Sequence, residues 1–267
     1  VNSTGGFMIP RLLEKMGVEC VKLFCEPNGK FPHNPEPLAE NLTVISKLVV
    51  EEKADFGVVV DPDVDRLAMV CEDGSMFGEE YTLVAIADFV LSKTPGNTVS
   101  NLSSTRALRD VANKHNGNYE ASAVGEVNVV EKMKEIGSEI GGEGNGGVIL
   151  KESHLGRDSL VAAALILNHL TQSNISLNKI MKAIPKFEII KDKITIKNDI
   201  NFSNIKSYFK NENKVEFIES DGLKILYKDK WVHIRKSNTE PIIRIISEAS
   251  NKDIATHLIN TIKNIIN

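Results

Sequence analysis

The sequence predicts an α/β protein: two consecutive αβ domains with mixed sheets, followed by a smaller α+β C-terminal domain. Three observations predict it. Short apolar runs of strand length alternate with stretches of helical periodicity as far as Pro185. After Pro185 strand-like runs dominate and the polar linkers between them lengthen. The chain closes on one long amphipathic stretch, KDIATHLINTIKNII, at 252–266.

Taken in order, IPRLLEKMG (9–17) predicts a short helix ending at Gly17, and VECVKLF (18–24) a buried strand. Helical periodicity runs over 36–53, and FGVVV (56–60) is a strand that leads directly into DPDVDR. A second strand is expected at 67–71, then a turn at Asp73-Gly74 and a strongly amphipathic helix over 79–93, stopped by Pro95-Gly96. A second αβ set follows: strand 97–102, helix from Thr105 to about Asn116, strand 119–124 and a helix from about Asn128 to Ile136. The glycine-rich GGEGNGG (141–147) leads into the strand VIL, and the apolar helix 157–170 should pack on several sides. The last domain is expected to hold five strands, at 187–196, 214–220, 223–227, 231–236 and 242–249. The expected domain limits are 1–76, 77–186 and 187–267.

Composition narrows the function classes. The 267 residues are 42% hydrophobic and 25% charged, the balance of an ordinary globular protein large enough for two or three domains. A net charge of −4 gives no basic face for nucleic acid. No apolar run approaches the ~20 residues a membrane span needs, so neither nucleic acid nor membrane is expected as a partner. Cys20 and Cys25 bracket one predicted strand and should point to opposite faces, which disfavours a bridge between them. Free thiols, with Cys71, imply a reducing, cytoplasmic setting.

DPDVDR carries the first chemical signal. Asp61, Asp63 and Asp65 alternate at the C-terminal end of a strand, so their oxygens can converge on one hard cation, Mg²⁺ being the expected one. Arg66 beside them offers a fork for phosphate or carboxylate. A calcium-binding EF-hand loop is excluded by Arg66 at the position that needs glycine, and by the strand that precedes the loop. An aspartate-nucleophile phosphatase, with Asp61 as the nucleophile, fits the same strand and spacing and stays open.

Two further segments add to it. RKSNTEPIIR (235–244) gathers Arg235, Ser237, Asn238, Thr239 and Arg244 in one short turn between strands, an inventory of donors suited to a phosphate dianion. In GGEGNGG the glycines let the backbone come close to a ligand, while Glu143 and Asn145 offer hydrogen bonds that suit sugar hydroxyls. No Gly-Lys-Ser/Thr follows, so this is not a nucleotide-binding P-loop. His154 is read as a loop histidine in preference to a proton carrier, Trp231 as core packing, and Lys151 and Arg157 admit either reading.

The order of metal loop, glycine-rich Glu loop and R-x-S-N-T-E-P-x-x-R loop resembles the α-D-phosphohexomutase family, which includes phosphoglucomutase, phosphomannomutase and phosphoglucosamine mutase. GKFPHNPEP (29–37) also resembles a segment the family carries before its metal loop. The resemblance implies that Asp61, Asp63 and Asp65 bind Mg²⁺ and that Arg66 contacts phosphate. It further implies that Glu143 and Asn145 read sugar hydroxyls, while Arg235, Ser237, Asn238, Thr239 and Arg244 hold the phosphate of the non-reacting end. The implied reaction interconverts hexose 6-phosphate and hexose 1-phosphate through a phosphoserine and a bisphosphate. Phosphoglucosamine mutase is favoured, with phosphomannomutase and phosphoglucomutase next.

The family's phosphoserine lies in a Ser-His-Asn-Pro-type loop of the first of four domains, and no such loop occurs here. Ser3, Ser103 and Ser104 lack its context. The chain thus resembles domains two to four, is expected to begin mid-protein, and would be inactive without its N-terminal domain. A hexose phosphate or amino-hexose phosphate is the expected small-molecule partner. Ala123, where many relatives have Lys or Pro, is a departure that puts one substrate contact in doubt. A non-catalytic sugar-phosphate-binding fragment is the third reading.

Overall fold

A computed structural model describes residues 4–195, 200–210, 214–237 and 240–266. Internal contacts divide it into two compact units, Val1–Ala121 with Gly125–Pro185, and Ser122–Val124 with Lys186–Asn267.

The first unit runs α1 (Gly5–Lys15), a 3-10 turn (Ala39–Asn41), α2 (Thr43–Glu51), β1 (Phe56–Val60), β2 (Leu67–Cys71) and α3 (Glu79–Lys93). It continues through β3 (Thr98–Asn101), α4 (Ala107–Lys114), β4 (Tyr119–Ser122), α5 (Glu126–Ile136), β5 (Ile140–Glu143), β6 (Gly147–Leu150), α6 (Ser159–Ser173) and α7 (Leu177–Ala183). β1 and β2 form an antiparallel pair in register Val60↔Leu67. The other sheet is mixed, in the order β4-β3-β5-β6, with β3 and β5 parallel and β5 and β6 antiparallel. Helices cover both of its faces. A Cβ on Gly141 would meet Met133 of α5, and one on Gly142, the next residue and so on the opposite face, would meet Leu83 of α3.

Local chemistry sets the helix ends. The Asp158 side chain accepts the N–H groups of Leu160 and Val161 and so caps α6. Gly137, with φ +65°, ends α5 in the left-handed conformation glycine adopts freely. α3 is not amphipathic as expected. Leu83, Val84, Ala85, Ile86 and Ala87 are all buried, because this helix touches β2, β5, β6, α4 and α6 and has little surface left for water. No single helix among the described residues is long and apolar enough to cross a membrane.

Two other expectations fail in the first 53 residues. Residues 18–24 form no strand, and Phe24 takes φ +54°, which no regular ladder accommodates. Nothing among the described strands pairs with the segment, so its backbone has no ladder to join. The helix expected over 36–53 forms only over Thr43–Glu51, after the turn at Ala39–Asn41. Beside these segments lies an apolar cavity of about 220 Å³ lined by Ile9, Leu13, Ile45, Val49 and Val58 among others. All three cysteines are free, Cys71 buried and the other two partly exposed.

The second unit comprises β7 (Glu188–Thr195), α8 (Phe202–Phe209), β8 (Glu216–Ile218), β9 (Leu223–Leu226), β10 (Trp231–Lys236), β11 (Ile242–Ala249) and α9 (Lys252–Ile266). Its antiparallel sheet has the order β7-β11-β10-β9-β8. Ile243 and Ile245 of β11, Val232 and Ile234 of β10, and Leu258 and Ile262 of α9 share one core. α7 and α8, both short, have no counterpart among the elements the sequence predicts.

Candidate active site

DPDVDR is the hairpin connection between β1 and β2. The three aspartates do converge, with one oxygen from each within 4.8 Å of the others, but an extended alternating chain is not the cause. The loop turns back on itself: the Val64 N–H donates to the Asp61 carbonyl at 3.2 Å, and Val64 sits at φ +64°. A β-branched residue in that region is strained. It is held there by Ser159, whose N–H and hydroxyl both donate to the Val64 carbonyl, at 3.3 and 2.7 Å.

Asp61 is 1% exposed. Its Oδ1 accepts the backbone N–H groups of Asp65 and Arg66 at 3.1 and 3.0 Å, and its Oδ2 accepts Arg66 Nε at 2.5 Å. Burial would raise its pKa, yet the hydrogen bonds from Arg66 and Asp65, together with the Arg66 charge, hold it below the ordinary carboxylate value. Asp65 behaves oppositely. Burial, with repulsion from Asp61 and Asp63, pushes it up to about 6 against the opposing pull of Arg157. Asp63 is exposed.

Arg66 reaches Glu36 Oε2 with Nη1 at 3.0 Å, so its fork is shared between two carboxylates. Burial lowers its pKa and the partners Asp61 and Glu36 raise it, for a net rise. Its backbone bridges Gly147, and the Leu67 N–H donates to the Gly146 carbonyl at 3.0 Å. The metal loop and the glycine-rich loop are therefore stitched together by main chain.

In that second loop Glu143 is 5% exposed. Oε1 accepts from Asn101 Nδ2 at 2.7 Å and the Gly125 N–H at 3.1 Å, and Oε2 accepts from Arg157 Nη1 at 2.6 Å. Asn145 is half-buried, its Oδ1 taking the Gly147 N–H at 3.1 Å. The glycines serve the protein's own packing: a Cβ on Gly144 would strike the Glu80 carboxylate, and one on Gly147 the Arg157 side chain.

Sequence reading missed Asn101, Glu126 and Glu36, left Arg157 undecided, and set Ser104 aside only as a nucleophile. Ser104 is buried, donating to Asn101 Oδ1 and accepting the Gly144 N–H, which is a structural role. His154 lies exposed in its loop, and Trp231 is buried with Nε1 donating to Glu248 Oε1 at 2.8 Å. No signal in the sequence pairs Arg157 with Asp65 or Glu143, because 92 and 14 residues separate them in the chain.

In the second unit, register places Arg235 of β10 directly opposite Arg244 of β11, and Arg244 directly opposite Lys193 of β7. Directly opposed residues share a face, so three cations line up across three strands. Arg235 Nε lies 3.3 Å from Asp221 Oδ2, and Arg244 Nη2 lies 3.2 Å from Glu240 Oε2. The Ser237 hydroxyl accepts the Glu240 N–H at 3.3 Å. Asn238 and Thr239 lie outside the described residues.

The donor set fits a hard divalent cation. It is all oxygen, and the buried Oδ1 of Asp65 accepts no hydrogen bond. A carboxylate trio at a strand end thus stands beside a polar glycine-rich loop in the first unit, and an arginine row lies on the antiparallel sheet of the second.

The comparisons agree. Family models described as phosphoglucomutase/phosphomannomutase match throughout: α/β/α domain II at residues 1–74, α/β/α domain III at 78–187, and the C-terminal domain at 177–265. The chain belongs to the phosphoglucomutase/phosphomannomutase family. It is similar to the phosphoglucomutase/phosphomannomutase of Thermococcus kodakarensis, with 35% identity over 95% of this chain and 56% of that protein. It is also similar to a probable phosphoglucosamine mutase of Methanopyrus kandleri, with 29% identity over 96% of this chain and 58% of that protein. A solved structure of a phosphoglucomutase/phosphomannomutase family protein from Burkholderia thailandensis matches with a TM-score of 0.86 and 26% identity, over 99% of this chain and 58% of that one. The chain thus spans somewhat over half the length of these relatives. A structure of Aspergillus fumigatus N-acetylphosphoglucosamine mutase in complex with GlcNAc-6P and magnesium shares the fold, with a TM-score of 0.68 and 11% identity over 98% of this chain and 63% of that one.

Proposed function

We propose that this chain provides the metal, sugar and distal-phosphate sites of a phosphohexomutase that interconverts hexose 6-phosphate and hexose 1-phosphate, with amino-hexose phosphates favoured. The observation that carries it is the joining of Asp61, Asp63 and Asp65 to Glu143 within one unit, through the Arg66–Gly147 bridge and Arg157. The metal would be Mg²⁺, held by the three aspartates, and it would supply charge neutralisation for phosphoryl transfer. Glu143 and Asn145 would orient the sugar through its hydroxyls. Arg235 and Arg244, with Ser237, Asn238 and Thr239, would hold the non-reacting phosphate. The reading places the transferring phosphoserine outside this chain, in an N-terminal domain, with a bisphosphate as intermediate. On this reading the chain alone is inactive, works in the cytoplasm, and divides into domains at 1–76, 77–186 and 187–267.

The rival role for Asp61, as a covalent nucleophile, is disfavoured by its burial and by the three N–H groups already on its oxygens. The test is ³¹P NMR on the full-length protein with glucosamine, glucose and mannose 6-phosphates and Mg²⁺. Expected are the corresponding 1-phosphates, lost in Asp63→Asn and absent with this chain alone. A phosphoenzyme that maps to Asp61 would overturn the mutase reading.

A further inference from the structure

The Arg157 side chain touches both loops of the candidate site. Nη2 pairs with Asp65 Oδ2, and Nη1 donates to Glu143 Oε2 at 2.6 Å. Nε lies 3.4 Å from Glu126 Oε2 without forming a hydrogen bond, while the Arg157 backbone N–H donates to Glu126 Oε1 at 2.7 Å. Its position is set from both sides. Asp158, the next residue, caps α6, and the side chain lies on Gly147, where any Cβ would collide with it.

Charge arithmetic singles it out. Asp61, Asp63, Asp65, Glu126 and Glu143 bring five carboxylates to this region, and Arg66 is shared between Asp61 and Glu36. Arg157 is thus the cation that faces Asp65 most closely. A planar fork can serve two carboxylates at once, which an ammonium cannot.

We propose that Arg157 is a positioning residue that acts as the resident counter-ion of the metal loop, giving up Asp65 when a divalent cation binds while keeping Glu143 aimed for the sugar. The inference rests on the metal and sugar sites proposed above. Cation and guanidinium compete for one carboxylate, so removing the guanidinium strengthens cation binding. The same removal frees Glu143 to rotate, so sugar-phosphate binding weakens. Opposite signs for the two ligands are what a mere structural strut would not produce.

The test uses this chain, with Mn²⁺ binding followed by electron paramagnetic resonance and glucosamine 6-phosphate binding by calorimetry. Arg157→Met retains most of the apolar shaft that packs on Gly147. It is expected to bind Mn²⁺ about tenfold more tightly, the effect of one nearby unit charge in a partly screened setting, and the sugar phosphate about tenfold more weakly. Arg157→Lys keeps the charge and loses the fork, so Mn²⁺ affinity should stay within about twofold of wild type while sugar-phosphate affinity falls. A folded Arg157→Met that binds Mn²⁺ no better than wild type overturns the inference and leaves the metal site standing. If that variant does not fold, unchanged sugar-phosphate affinity in Arg157→Lys overturns it. A wild-type chain that binds no Mn²⁺ removes the proposed metal site and this inference together, and loss of Mn²⁺ binding in Asp63→Asn verifies the site independently.

Discussion

The two charged regions of this protein handle their charge in opposite ways. In the first unit every buried carboxylate described above has a cation or N–H groups against it: Asp61 has Arg66, Asp65 has Arg157, and Glu143 has Arg157 and Asn101. In the second unit like charges stand side by side. Lys193, Arg244 and Arg235 face one another across three strands, and the Arg244 side chain is 47% exposed with Glu240, itself half-exposed, as its partner. The buried acidic groups are satisfied by the protein itself, whereas on the proposed function the basic row leaves part of its neutralisation to a phosphate. On that reading the acidic site carries fold stability as well as chemistry, and the basic row carries chemistry with little stability.

That contrast predicts the largest effect at Asp61. Replacing it with Ala leaves the Arg66 guanidinium without its shortest partner and strips the acceptor from two backbone N–H groups. Breaking a buried pair from one side costs about 3–5 kcal/mol, and the lower end applies because Arg66 keeps Glu36. Guanidinium unfolding of metal-free Asp61→Ala should show this loss. A cost below about 1 kcal/mol would show that the loop is poised for metal alone, and the contrast between the two regions would fail.

How far the site was legible in the sequence follows from the same contrast. The residue types that make the metal loop sit within six positions, so the aspartates could be found, but the reason they converge could not. It depends on Val64 adopting φ +64°, which Ser159, 95 residues away, secures. Likewise Glu143 was visible from its glycine-rich setting, while Arg157, Asn101 and Gly125 reach it only through the fold. Alternation of strand and helix signals yielded the fold class because period and chain punctuation are local properties. The strand expected at 18–24 is one exception. Apolar character shows that a segment wants burial, and only a neighbour with free N–H and C=O groups decides whether it becomes a strand.

A second, smaller effect separates the units by pH. The second unit also buries a titratable group: His233 in β10 is 1% exposed, with Nε2 2.7 Å from the Asp221 carbonyl. Burial lowers its pKa from 6.5 to about 4, with Lys224 and Arg235 adding to the effect and Asp221 opposing it. The folded value lies below the unfolded one, so the native state holds the proton less tightly. The stability this contributes is complete above about pH 6.5 and is lost as pH falls through about 4, in total about 3 kcal/mol. Unfolding of the second unit, followed through Trp231, should weaken over that window in wild type. His233→Gln, which keeps a donor and cannot titrate, should flatten that dependence. An unchanged slope in the variant would assign the pH effect to other groups.

The smallest stability effect is expected at Arg244, and it is the sharpest check on the contrast. Its ion pair with Glu240 is solvent-exposed on both sides, with side chains 47% and 50% accessible, and such pairs contribute about 0–1 kcal/mol. Removing it also relieves repulsion with Arg235 and Lys193, which lie directly opposite on the flanking strands. The two terms offset, so Arg244→Ala should unfold within about 0.5 kcal/mol of wild type. Binding should respond far more, because a phosphate dianion loses one of its charge-assisted donors. Hydrogen bonds to charged groups are worth about 1.5–3 kcal/mol, roughly a tenfold to hundredfold loss in sugar-phosphate affinity. Calorimetric titration of glucosamine 6-phosphate into the variant, alongside its denaturation curve, reads both quantities on one sample. A variant that loses stability and keeps its affinity would reverse the assignment, making the arginine row a structural feature of the sheet and the acidic unit the sole ligand site.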